Sequence, residues 1–145
     1  MTSGDTTGGG THSDLDALLD AALRIAKQNV RMASSFDPFV LVTGSDGRML
    51  SAEIDRSELA KHPESEELVD AALTQLRGLT ASVRATALTL AARLAKERSD
   101  AIEVRLEHRD GTALLVLVPY RRPKFGGNVD FGEATTFRGI PEVWT

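Results

Sequence analysis

Residues 80–94 read TASVRATALTLAARL, and the choice between helix and strand for this stretch decides the fold of the whole chain. Val83, Ala87, Leu90, Ala91 and Leu94 would suit a helix continuing past Gly78. Against that, Gly78 is a natural helix stop, the stretch is rich in threonine, and the polar residues Lys96 to Asp100 allow a hairpin turn behind a strand. Local pattern leaves both readings open, so the flanking elements have to settle the matter.

Downstream, Ile102, Val104 and Leu106 alternate with Glu103, Arg105 and Glu107, the mark of a strand with one solvent-facing side. The same period places His108 on the face of Val104 and Leu106. Asp110-Gly111 reads as a two-residue hairpin turn, since both residues tolerate positive φ, and Ala113 to Val118 is a continuous apolar strand. Upstream, Pro38 starts a similar unit. Phe39 to Val42 is apolar throughout, Asp46-Gly47 is a second two-residue turn, and the return strand runs from Arg48 to about Ile54. Pro63 fits the first turn of a helix whose positive end collects Glu64, Glu66 and Glu67 and whose apolar face carries Leu68, Ala72, Leu73 and Leu76. Near the N-terminus, Ser13 can cap a helix from Asp14 to about Ala33, with Asp14 and Asp16 complementing its dipole and Leu15, Leu18, Leu19, Ala22, Ile25, Ala26 and Val30 forming its stripe. Residues 1–12 have almost nothing to bury and read as a disordered tail, leaving 13–145 as a single domain. Beyond Tyr120 come two arginines, the loop Pro123 to Gly127, a weakly alternating stretch through Phe137, and a C-terminal arm, Ile140 to Trp144, expected to dock on the body.

This succession, α-β-β-α-β-β-β with a strand at 80–94, is similar to the roadblock and profilin-like architectures. The resemblance implies an α+β fold with a five-stranded antiparallel sheet whose first and fifth strands are neighbours in the middle. The two continuously apolar strands, Phe39 to Val42 and Ala113 to Val118, are the ones that would meet there. On this ground 80–94 is predicted to be a strand. The chain also resembles a family of small, uncharacterised bacterial α+β proteins through Phe36-x-Pro38-Phe39, Glu107-His108-Arg109-Asp110-Gly111 and Pro119-Tyr120-Arg121-Arg122. That resemblance implies no activity and no site.

At 145 residues, 41% hydrophobic and 26% charged, the chain has the composition of one globular domain. A net charge of -4 argues against nucleic acid or an anionic membrane as a general partner, and the absence of cysteine excludes disulfides and thiol chemistry. The apolar run Ala113 to Val118 is far shorter than the roughly 20 residues that span a bilayer. No basic patch leads into an apolar stretch at the start, so a cytoplasmic protein without a signal peptide is expected. His108-Arg109-Asp110, Asp130-Phe131-Gly132 and Pro141-Glu142 follow the order of protein-kinase motifs, but the phosphate loop is missing and Leu115 stands where a metal-binding asparagine would be needed. His62 with Glu64, Glu66 and Glu67 is better read as helix-end charge than as a metal site. Arg121, Arg122 and Lys124, with Tyr120 and Phe125 interleaved, form the one basic-aromatic cluster, and it reads as a solvated strand end. Two functional expectations follow, both without cofactor or metal. The first is a non-enzymatic interaction or scaffold module, acting as a homodimer or a partner subunit. The second is a small ligand-binding domain or enzyme with a pocket near His108, Tyr120 and Arg121.

Overall fold

The computed structural model describes residues 11–33 and 35–145. Helix α1 (Thr11–Met32) is followed by β1 (Phe39–Gly44), β2 (Met49–Ala52), α2 (Ser65–Arg77), β3 (Val83–Leu94), β4 (Ser99–His108), β5 (Ala113–Arg121) and two short strands, β6 (Asp130–Phe131) and β7 (Thr135–Arg138). Helix α1 starts ahead of the expected Ser13 cap and takes in Thr11 and His12; the rest of the expected tail lies outside the described residues. Among the described residues no helix is long and apolar enough to cross a membrane.

The fold is α+β, and all strand pairs are antiparallel. Residues 83–94 are a strand, yet the sheet is not the expected five-stranded one. It has seven strands in the order β2-β1-β3-β4-β5-β6, with β7 also on β5. Strand β1 pairs with β3, and β5 with β4, β6 and β7, so the first and fifth strands are not neighbours. The difference lies in how the β3-β4-β5 meander docks: its first strand, β3, takes the free edge of β1, and the outer edge of β5 is taken by β6 and β7 instead. The two apolar strands are apolar for different causes. Strand β1 is covered on both faces, by Leu41 under α1 and by Val40 and Val42 under α2. Strand β5 lies under α1 through Val116, Val118 and Tyr120, and its outer edge is closed by β6 and β7.

Two alanines of β3 have a packing role. Ala85 and Ala87 sit in one cluster with Ala22 and Ala26 of α1, so small residues on both sides let the helix lie close to the sheet. On the other face, α2 buries Val69, Ala72, Leu73 and Leu76 against Val40, Val42, Val83 and Leu88, and Val143 of the arm joins them. Pro63 stands just before the helix; the N-cap is Glu64, whose N–H donates to the Glu67 carboxylate at 3.0 Å. Helix α2 does not reach the far half of this face. There Leu115 and Leu117 of β5 remain part-exposed, and Phe137, cross-strand partner of Leu115, is 47% exposed.

The hairpin tips differ in type from the expected two-residue turns. Gly47 donates to the Gly44 carbonyl (2.9 Å) and Gly111 to the His108 carbonyl (3.0 Å). Only the glycines are left-handed, with φ of 87° and 100°. Each tip is therefore a three-residue loop ending in a left-handed glycine. In each, the aspartate carboxylate accepts the N–H two residues on: Arg48 to Asp46 at 3.0 Å and Thr112 to Asp110 at 2.9 Å. A Cβ on Gly111 would meet nothing within 4 Å, so Gly111→Val is expected to cost only the backbone term, about 1–2 kcal/mol. Urea unfolding measures it, and a neutral result would contradict the left-handed assignment.

Candidate functional site

His108 ends β4 on the α1 side of the sheet. Opposite it, the β1–β3 register slips between Thr43 and Gly44, leaving Arg84 without a direct partner on β1. That irregularity is accompanied by a turn of Arg84 toward α1, where its Nε and Nη2 donate to Asp14 at 2.9 and 2.8 Å. His108 Nε2 lies 3.0 Å from the same carboxylate. The Asp110 N–H donates to His108 Nδ1 at 3.2 Å, which assigns the ring proton to Nε2 and makes the imidazole a donor to Asp14. Asp14 is 6% exposed, and its carboxylate holds the Arg84 guanidinium above the ordinary arginine range. An aspartate–histidine pair can serve a general base, but a base needs a free nitrogen toward its substrate, and both of these are engaged. What the arrangement does is fix the first turn of α1 to the ends of β3 and β4.

The opposite end of α1 is held by another device. Arg122 Nη2 donates to the carbonyls of Val30 and Ala33, masking the negative end of the helix. Below it the buried Tyr120 ring lies 6.0 Å from Phe131, and Lys27 and Arg31 sit over the Phe131 ring at 5.3 and 5.2 Å. Burial pushes the Tyr120 phenol up, with Asp100 adding to the shift.

The three residues expected to share a pocket are thus not brought together. Tyr120 is opposite Asp100 at the start of β4, whereas His108 is at its end, about 25 Å away along the strand. Strand alternation also turns Arg121, paired with Asp130, to the face away from Tyr120 and Phe131. The arginine on the α1 side is Arg122. Likewise His108-Arg109-Asp110 and Asp130-Phe131-Gly132 are at opposite ends of the sheet, since β6 pairs with Tyr120 and Arg121. His62 is exposed ahead of α2, and among the described residues no group of three or more His, Asp and Glu side chains is placed to hold a metal.

In the sequence Asp14 reads as dipole charge only. Its position four residues before Leu18, on the buried stripe, was the available signal of burial. Glu107 was expected to face solvent with Glu103 and Arg105. Instead it is 6% exposed, because the C-terminal arm crosses over it. Its carboxylate accepts the N–H groups of Glu142 and Val143, both at 2.9 Å, and of Trp144 at 3.3 Å. Arg105 bridges Glu103 (2.7 Å) and Glu142 (3.3 Å), and Arg77 of α2 donates to the Glu142 carbonyl at 2.8 Å. Beside the arm is a cleft of about 320 Å³ lined by Arg105, Leu115, Arg138 and Ile140 among others. The short motifs of the sequence therefore fall on anchoring residues: Glu107 on the arm, His108 on α1, Asp110 and Gly111 in a turn, Arg122 on the helix end. No family model, curated protein or solved structure matches the chain, so these sites stand on their own geometry.

Proposed function

We propose that the chain is a non-enzymatic protein-interaction module that forms a symmetric dimer through the part of the sheet that α2 leaves open. The observation that carries this reading is the apolar row Leu115–Phe137 with Leu117 beside it and the 82%-exposed Ile140 at its border. A lone exposed apolar residue means little, but adjacent ones on a sheet face lower the cost of removing it from water. The surrounding charges are mixed, Glu103 and Glu142 against Arg105 and Arg138, so the patch calls for no partner of one charge sign. A second copy turned about a two-fold axis can match apolar to apolar and plus to minus, and such pairing is the commonest among homo-oligomers. The engagement of both His108 nitrogens supports a structural reading of that residue.

Light scattering at micromolar concentration tests the assembly. The wild type is expected at twice the chain mass, and Phe137→Asp at the monomer mass with unchanged circular dichroism. A strictly monomeric wild type would remove this reading. So would a dimer unaffected by Phe137→Asp.

A further inference from the structure

On the other side of the sheet, between the last turn of α1 and the β5–β6 loop, there is a cleft of about 260 Å³ lined by Arg31, Arg122, Pro123, Gly126, Gly127, Asn128 and Val129. We propose that this cleft binds the phosphate group of a small molecule, with Arg31 and Arg122 as its charged donors and the Gly126–Asn128 backbone as its cradle.

Four features support the assignment. First, the lining holds two guanidinium groups and no carboxylate, in a chain whose net charge is -4. The nearest acidic residue in sequence, Asp130, is paired with Arg121 and turned to the opposite face. Second, the two arginines are partly pre-ordered. Arg31 lies over the Phe131 ring, and Arg122 uses Nη2 on the helix carbonyls, which leaves its Nε and Nη1 donors for another acceptor. Third, the same Arg122 contact masks the carbonyls of Val30, in the last turn of α1, and of Ala33, just beyond it, which would otherwise repel an anion. Fourth, Gly126 and Gly127 are both left-handed, with φ of 72° and 99°; the Gly126 N–H is turned back toward the Pro123 carbonyl in a tight turn, while among the described residues the N–H groups of Gly127 and Asn128 donate no hydrogen bond within the chain. Successive backbone N–H groups beside arginine forks are the donor set that a tetrahedral dianion satisfies and that a single carboxylate leaves half used. Lys27 and Lys124 add to the local field from neighbouring positions.

The test is titration of the full chain with inorganic phosphate and with pyrophosphate at constant ionic strength, read by amide chemical shifts. Saturable shifts are expected at Gly126, Gly127 and Asn128. Arg31→Gln is expected to weaken binding by roughly tenfold or more, while Arg121→Gln leaves it unchanged. Arg122→Gln is expected to abolish binding. Because that variant also frees the end of α1, the exposed Arg31 carries the decision. Shifts that never saturate, or equal weakening by Arg31→Gln and Arg121→Gln, would reduce the effect to a diffuse field and overturn the site. The cleft is remote from the proposed dimer face, so the failure of one reading leaves the other standing.

Discussion

Asp14→Ala is expected to lower the unfolding free energy by about 3–5 kcal/mol, because it removes one partner from a buried charged cluster and strands the others. The Arg84 guanidinium, 20% exposed, loses both of its acceptors, and the His108 Nε2–H loses its only one. The change also releases the first turn of α1, the helix that covers β1, β3 and β4. Against the 5–15 kcal/mol typical of a domain this is a large fraction, and the midpoint of thermal unfolding should fall by about 10 °C or more. Asp14→Asn, which keeps one acceptor oxygen, should fall between. The control is Asp20→Ala on the same helix. The Asp20–Arg24 pair has side chains 81% and 70% exposed, and its loss should cost less than about 0.5 kcal/mol. Urea unfolding followed by circular dichroism separates the two. Equal losses would mean that the cluster does not anchor α1.

The contrast between Asp14 and Asp20 also marks how far the sequence could be read. Periodicity located α1 and β4, because burial of one face imposes a period that survives in the residues themselves, while continuous apolar runs located β1 and β5 and an Asp-Gly turn located β2. It could not order the strands: β1 pairs with β3 through contacts distant in sequence, and nothing in the apolar run Phe39 to Val42 names its neighbour. Alternation gave the side on which a residue lies but not what lies across from it. Glu107 does lie on the face opposite the Val104–Leu106 row, yet that face is covered by an arm 35 to 37 residues downstream. Among the candidate residues, parity alone could have ranked Arg122 above Arg121, since Val116, Val118 and Tyr120 share its side of β5. Lys27 and Arg31 could not have been joined to that end by sequence, because only the packing of α1 brings them over Phe131.

Glu107→Ala should destabilise the fold by about 2–4 kcal/mol and should report its own mechanism through Trp144, the single tryptophan of the chain. The carboxylate gathers three consecutive backbone N–H groups of the arm, so its removal strips their acceptor and loosens Val143, which is buried with the α2 cluster. Trp144, part-buried beside Val143, is then expected to move into water and shift its emission to the red before any global unfolding. Glu107→Gln is a sharper probe. It preserves size and one oxygen, but its NH₂ would face donors, so it should retain little of the stability while adding no cavity. Deleting residues 140–145 completes a cycle. In the full chain Glu107→Ala costs the anchored arm, whereas in the shortened chain no arm is left to lose, and the second change should add far less than the first. Additive losses, or a Trp144 emission unmoved by Glu107→Ala, would transfer the hold on the arm to Arg77 and the packing of Val143. A coupled loss with a red shift would identify Glu107 as the residue that closes the sheet at its C-terminal end.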